Sequence, residues 1–213
     1  MEQFQAEKLE KGANAVFQSL LVASRGDKGV QAESLLCMIG AFGGYACQFA
    51  VRKALETGEY QPDIEEFRAQ QLGDGRIYVT GSLIEEQLIG SQDSFCVLAS
   101  VALRRLNYDI LPDFQEIRTC VTLTFGTKFY GKIRVPNSSQ FIGIAEETLL
   151  GGWNPVATHA LEYCEIEELP TLFGMVAEKC IRFCKEAVHP KNALQIVVEA
   201  AYAMSAAALN VEP

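Results

Sequence analysis

Two histidines, seven cysteines and several paired acids are the residues in this chain with the types to carry chemistry. His159 follows Trp153-Asn154-Pro155 and borders a stretch without periodicity, which makes it the candidate for proton transfer near neutral pH. His189 directly precedes Pro190 and suits the cap of a helix that starts there. The cysteines, Cys37, Cys47, Cys96, Cys120, Cys164, Cys180 and Cys184, are odd in number and contain no C-x-x-C pair. They read as reduced, core-facing thiols of a cytoplasmic protein. Cys180 and Cys184 lie four apart with His189 five further on, a set of three at most where a structural zinc takes four ligands. No metal and no cofactor is expected.

The acid pairs Glu65-Glu66, Glu85-Glu86, Glu146-Glu147 and Glu167-Glu168 do not make general acid/base dyads. Neighbours on a helix diverge by about 100° and cannot converge on one point, so these are solvated faces. Ser82 follows Thr80-Gly81 and becomes a nucleophile only if a base reaches it; otherwise it caps the SLIEEQL turn. The chain has no G-x-S-x-G, H-E-x-x-H, Walker or dinucleotide glycine pattern.

The most informative polar run is TKFYGKIRVP, in which Lys128, Lys132 and Arg134 alternate with Phe129, Tyr130 and Ile133. The chain as a whole has a formal charge of −9, from 27 acidic and 18 basic residues, so it repels phosphate backbones and anionic lipid. Nucleic acid and membranes are therefore not expected partners. A local cationic and aromatic patch instead suits a protein partner or a small anionic ligand. The plainer alternative is a strap with Phe129, Ile133 and Val135 facing the core and the cations in water. From this follows an expected binding set of Tyr130, Lys132, Arg134, Trp153 and His159 in a soluble, non-catalytic binding or protein-interaction module. The alternative is a small-molecule enzyme with His159 as acid/base near residues 127–159.

Periodicity sets the elements that must position these groups. Leu9, Ala13, Val16, Phe17, Leu20 and Leu21 recur at three and four, giving an amphipathic helix over 3–24, and a second runs from about 31 to 57. Asp74-Gly75 centres a β-hairpin within 66–81, with Ile77 and Val79 inward and Tyr78 and Thr80 outward. Asp93 or Ser94 caps a third helix with Phe95, Leu98, Val101, Ala102 and Leu106 on one face. Pro112 opens a fourth through Ile117 and Val121, although the β-branched TCVTLTF leaves a strand over 119–125 open. Glycines, Pro136 and the Asn137-Ser138-Ser139 cluster make 127–154 a long irregular segment with a short helix near 145–150. Pro155, Pro170 and Pro190 each suit a first helical position, giving helices near 155–164, 170–188 and 190–209. The expectation is one mainly α domain over 1–213, a bundle of six or seven helices with one small hairpin.

The second helix carries the run LLCMIGAFGGYACQFAV. At ~1.5 Å per residue it spans about 26 Å, short of the roughly 30 Å hydrocarbon core, and Gln48 interrupts it. Small residues (Cys37, Gly40, Gly44, Cys47) and bulky ones (Leu35, Ile39, Phe42, Phe49) occupy opposite stripes, so the helix is buried on both sides. Glycine in mid-helix costs about 1 kcal/mol against alanine, which calls for close approach by another helix. The alanine-rich last helix, near Ala200 and Ala203, is the expected partner. An exposed stripe of this kind would be a dimer seam, and self-association is expected of the protein.

Overall fold

The structure is a computed structural model that describes residues 2–27, 29–58, 61–134, 141–142 and 145–209. The order begins with α1 (Glu2–Ala23), a two-residue ladder of β1 (Arg25–Gly26) on β2 (Gly29–Val30), and α2 (Ala32–Glu56). The hairpin β3 (Arg68–Gln71) and β4 (Ile77–Thr80) leads into a single turn, α3 (Ser82–Glu85), which widens to a π-helical turn over Glu86–Gly90. Then come α4 (Phe95–Arg105), α5 (Phe114–Thr122), β5 (Ile133–Arg134) paired with β6 (Phe141–Ile142), α6 (Ala145–Leu161), α7 (Leu169–Phe183) and α8 (Pro190–Ser205). Among the described residues seven helices exceed eight residues and the strands form only short antiparallel pairs, so the fold is a mainly α bundle.

One continuous apolar core joins α1 to α8, and its centre is α2, buried from Leu35 to Val51 except for the half-buried Met38. This is also the one helix among the described residues long and apolar enough to cross a bilayer, yet 89% of its apolar window is enclosed by the rest of the chain. α2 packs most extensively on α8. A Cβ on Gly44 would stand 2.6 Å from the Ala201 Cα, and one on Gly40 would stand 2.9 Å from the Ala200 Cβ. The small-residue stripe is thus filled within the chain, and it leaves no free seam for a second copy. The contact on Gly44 is Ala201 rather than Ala200 or Ala203, one step around the α8 surface.

Gln48, the polar interruption, is completely buried and spends its amide on the end of α8. Its Nε2 donates to the carbonyls of Ser205 (2.9 Å) and Ala207 (3.1 Å). Tyr45 Oη and Arg52 Nη1 hold the Leu209 carbonyl in the same way. Residues 206–208 so anchored extend the hairpin: Val79 N donates to Ala206 O and Ala208 N to Ile77 O, placing β4 between β3 and the tail of α8.

Five expectations are corrected or decided. Tyr78 points inward and Ile77 is exposed, because β4 is flanked on both edges and its Tyr78 face lies over the 125–130 turn. The hairpin turn spans 72–76 instead of two residues, with Gly75 supplying the positive φ of 81°. Residues 119–125 are not a strand: α5 runs to Thr122, capped by Asp113, whose side chain accepts from the amides of Gln115 and Glu116. Pro155 does not begin a helix but sits inside α6, which starts ten residues earlier. Its missing N–H leaves the Gly151 carbonyl without its helical donor. Gly152 looked like loop punctuation, but a Cβ there would meet Phe42 Cζ at 2.8 Å, so it is a packing glycine. The irregular segment therefore ends before 145, and Val135, Pro136 and Asn137-Ser138-Ser139 lie outside the described residues.

Candidate functional site

Three aromatic side chains tie the hairpin, the turn after α5 and the end of α8 together. Tyr78 stacks on Phe125 at 4.8 Å between centroids, and Tyr130 meets Tyr78 edge-on at 4.8 Å. The Tyr130 hydroxyl donates to the Ala203 carbonyl (2.6 Å), and burial holds its phenol protonated. Tyr78 donates to Asp74 Oδ2 (2.7 Å) and accepts from Gly126 N (3.0 Å). The donated hydrogen bond keeps the Asp74 carboxyl below its usual range.

Phe125 is also one wall of a cleft of about 650 Å³ between the 63–66 loop, β4, α3, α5 and the last turn of α8. Its volume is in the range of small-molecule sites. Val79, Ile84, Leu88 and Val121 form an apolar lining, while Asp63, Glu65, Glu66 and Glu85 face two guanidinium groups, Arg68 and Arg118. Arg118 ion-pairs with Glu85 across the cleft, and Arg68 Nε donates to Thr80 Oγ1 at 3.2 Å. The acidic lip is fixed by backbone bonds. Asp63 Oδ1 accepts from the amides of Glu65 and Glu66, and the carbonyls of Glu65 and Glu66 accept from Ser82 N and Leu83 N. Gly81 makes that approach feasible, since a Cβ there would fall 2.5 Å from the Glu66 carbonyl carbon at a φ of 146°.

Tyr202 stands in the cleft wall, 6% exposed, and its hydroxyl is buried with no hydrogen-bond partner among the described residues. Burial pushes its phenol up, and Arg118 and Glu85, both cleft residues, act on it in opposite directions. It is therefore a protonated donor beside the cleft. A buried hydroxyl left unpaired costs about 1–3 kcal/mol, which marks it as a position that a ligand acceptor would satisfy.

None of the five residues expected from sequence lines this cleft. Tyr130 is buried beneath it, over Arg76, whose guanidinium carbon lies 5.6 Å from the ring centroid. Lys132 is exposed and lies over Phe129, 5.7 Å from the ring, with Lys128 at 5.4 Å. Phe129 is half exposed and Tyr130 takes the inward place assigned to it, while Ile133 is buried as expected. Arg134 N donates to Glu199 Oε1 (3.3 Å), and its Nε is 4.0 Å from the same oxygen. Trp153 is completely buried against Tyr45, Phe49 and Phe173, and its indole N–H has no partner among the described residues. His159 lies against α1 instead, its Nδ1 3.2 Å from Ser19 Oγ and its ring edge-on to Tyr163. His189 caps α8 as its position implied, with Nδ1 accepting from Lys191 N.

Sequence reasoning passed over Tyr202 and Arg118, and kept Ser82 as a cap, or as a nucleophile only if a base reached it. Ser82 lines the cleft and is the first residue of α3 rather than its cap, which is Gly81. The available signal was Tyr202 itself, a large hydroxyl-bearing side chain in the small-residue run AAYAMSAAA. All seven cysteines are thiols, six of them buried, and among the described residues no three His, Cys, Asp or Glu side chains converge as a metal site. Comparison with protein families, curated proteins and solved structures finds no match to this chain.

Proposed function

We propose that the protein is a soluble, non-catalytic binding module whose small-molecule ligand occupies the cleft between β4, α3, α5 and the end of α8. The observation that carries this reading is the Tyr202 hydroxyl, a buried donor without a partner among the described residues, in the wall of a cleft that also has the apolar lining of Val79, Ile84, Leu88 and Val121. Its ligand presents an acceptor, a carbonyl or hydroxyl, to Tyr202. An amine or another cationic group on the same ligand would meet the lip, where the Asp63, Glu65 and Glu66 carboxylates outnumber Arg68. The buried thiols fit a cytoplasmic setting.

A metabolite-amine library screened by ligand-observed NMR tests the reading, with Tyr202→Phe as the control. The phenylalanine variant should lose hits that compete for the cleft while the fold melts no lower. Hits that bind both proteins equally would remove Tyr202 from the site and the proposal with it.

The enzyme alternative has one supporting observation, the Ser19 Oγ to His159 Nδ1 distance of 3.2 Å, which is within reach for a nucleophile and its base. Among the described residues no carboxylate is bonded to the other imidazole nitrogen. If any turnover is found, His159→Gln should abolish it, and full activity in that variant removes this reading.

A further inference from the structure

We propose that a second concavity, bounded by α1 and the carboxy-terminal ends of α4 and α7, binds a soluble organic phosphate carrying a flat apolar group. The basin has a volume of about 450 Å³. Four cationic side chains line it, Arg105, Lys179, Arg182 and Lys185, and among the described residues no carboxylate does, although Lys179 is ion-paired with Glu10 from α1, in a chain whose formal charge is −9. An anion drawn to this protein meets repulsion over most of the surface and attraction here.

Two of the cations are held in place beforehand. Glu178, buried behind the basin, has a single oxygen, Oε1, that receives Arg105 Nη1 at 3.1 Å and lies 2.7 Å from Arg182 Nε. One carboxylate oxygen thus sets a guanidinium from α4 beside a guanidinium from α7, both side chains more than a third exposed. Each guanidinium carries five N–H donors in a fixed fork, so most remain for a planar, multi-oxygen acceptor such as phosphate. Lys185, 3.8 Å from the exposed Glu186, is in a weak surface pair and is free to turn to an anion.

Helix carboxy-termini favour cations, and that alone accounts for an arginine at each end. It does not account for two helices sharing one buried carboxylate oxygen. Three carbonyls in the last turn of α4 are also covered, because Leu106 N donates to Ala102 and Leu103, Tyr108 N to Leu103 and Asn107 N to Arg104, so these do not repel an anion as free acceptors. Phe17 and Phe183 meet edge-on at 5.7 Å in the basin wall, and Phe183 is half exposed, which supplies an apolar face for a ring. The Asn14 and Gln18 amides, one turn apart on α1, complete the polar lining.

The test is isothermal titration of the full chain with pyrophosphate and with adenosine 5′-monophosphate at low ionic strength. Both should bind saturably, the monophosphate using the aromatic wall as well. The double variant Arg105→Lys/Arg182→Lys keeps the charge and a partner for Glu178 while removing the forks, and should weaken both probes roughly tenfold at an unchanged melting temperature. Should that variant lose stability, Lys185→Gln, at an exposed site, serves instead and should weaken them about threefold. No saturable heat with wild-type protein, or equal affinity in these variants, overturns the proposal. Sedimentation with phosphatidylinositol-phosphate vesicles but no binding of the soluble probes would assign the phosphate to a lipid headgroup and overturn the soluble ligand. Tyr202→Phe should bind both probes as wild type does, which keeps this result separate from the fate of the cleft.

Discussion

α8 presents two faces with opposite physics. Toward α2 its surface is closed so tightly that the backbone of Ala201 occupies the space a Cβ on Gly44 would need. Toward the cleft, one residue further on, Tyr202 leaves a buried hydroxyl with nothing to bond. The first face is optimised for stability, since glycine is accepted there at a cost of about 1 kcal/mol of helix propensity to gain contact. The second tolerates an unsatisfied donor that a phenylalanine would avoid. A position that surrenders stability beside a cavity is where ligand binding is to be sought.

The largest expected effect breaks the closed face. Gly44→Leu should cost at least the ~1–3 kcal/mol typical of overpacking, because the obstacle is backbone and cannot swing aside. Urea denaturation reads this directly. Gly44→Ala gains propensity yet should also be destabilised, and a more stable alanine variant would mean that the α2–α8 contact is looser than described.

On the open face the sign reverses. Tyr202→Phe should stabilise the ligand-free protein by ~1 kcal/mol by removing a buried donor without a partner, with calorimetry as the measure. A destabilised variant would show that the hydroxyl is bonded in solution, and the contrast between the two faces would collapse.

A third surface of α8 sharpens the comparison through pH. Glu199 is buried beside Arg134 and Cys37, and desolvation raises its carboxyl above the ordinary value despite the Arg134 amide and charge. The folded state then holds the proton more tightly than the unfolded one. Stability from this group is full below the unfolded carboxylate value and falls as pH rises through the folded one. Glu199→Gln should flatten that fall when melting temperature is followed as pH rises above the ordinary carboxylate range.

The smallest effect is expected at the exposed arm. Lys132→Ala/Arg134→Ala should shift stability by no more than about 1 kcal/mol, since Lys132 rests on Phe129 and Arg134 reaches Glu199 only at 4.0 Å. A larger loss in thermal melts would make the arm a structural clasp on α8. Loss of an anionic partner with stability intact would restore it as a binding surface.

Much of this architecture was legible from periodicity. The 3.6-residue pattern placed α1, α2 and α4, Pro170 and Pro190 marked the starts of α7 and α8, and the glycines at 40 and 44 called for a helix of small residues, which α8 provides. Periodicity records which side of an element is buried but not what buries it. For that reason α4 turned out to bury Phe95, Cys96, Ala99, Ala102 and Leu103, with Leu98 only half-buried toward α1. Gly152 and Pro155 carry the same local signals as a loop, and only the approach of the Phe42 ring distinguishes a packing glycine in α6 from a turn. The cleft and the basin were not legible at all. The cleft gathers residues from 63–66, 79–88, 118–125 and 202–206, and the basin from 14–18, 105–106 and 179–185. Local sequence governs how well each segment forms, whereas a cavity is set by where several segments fail to meet. That failure is a property of their joint packing and exists only once the chain has folded.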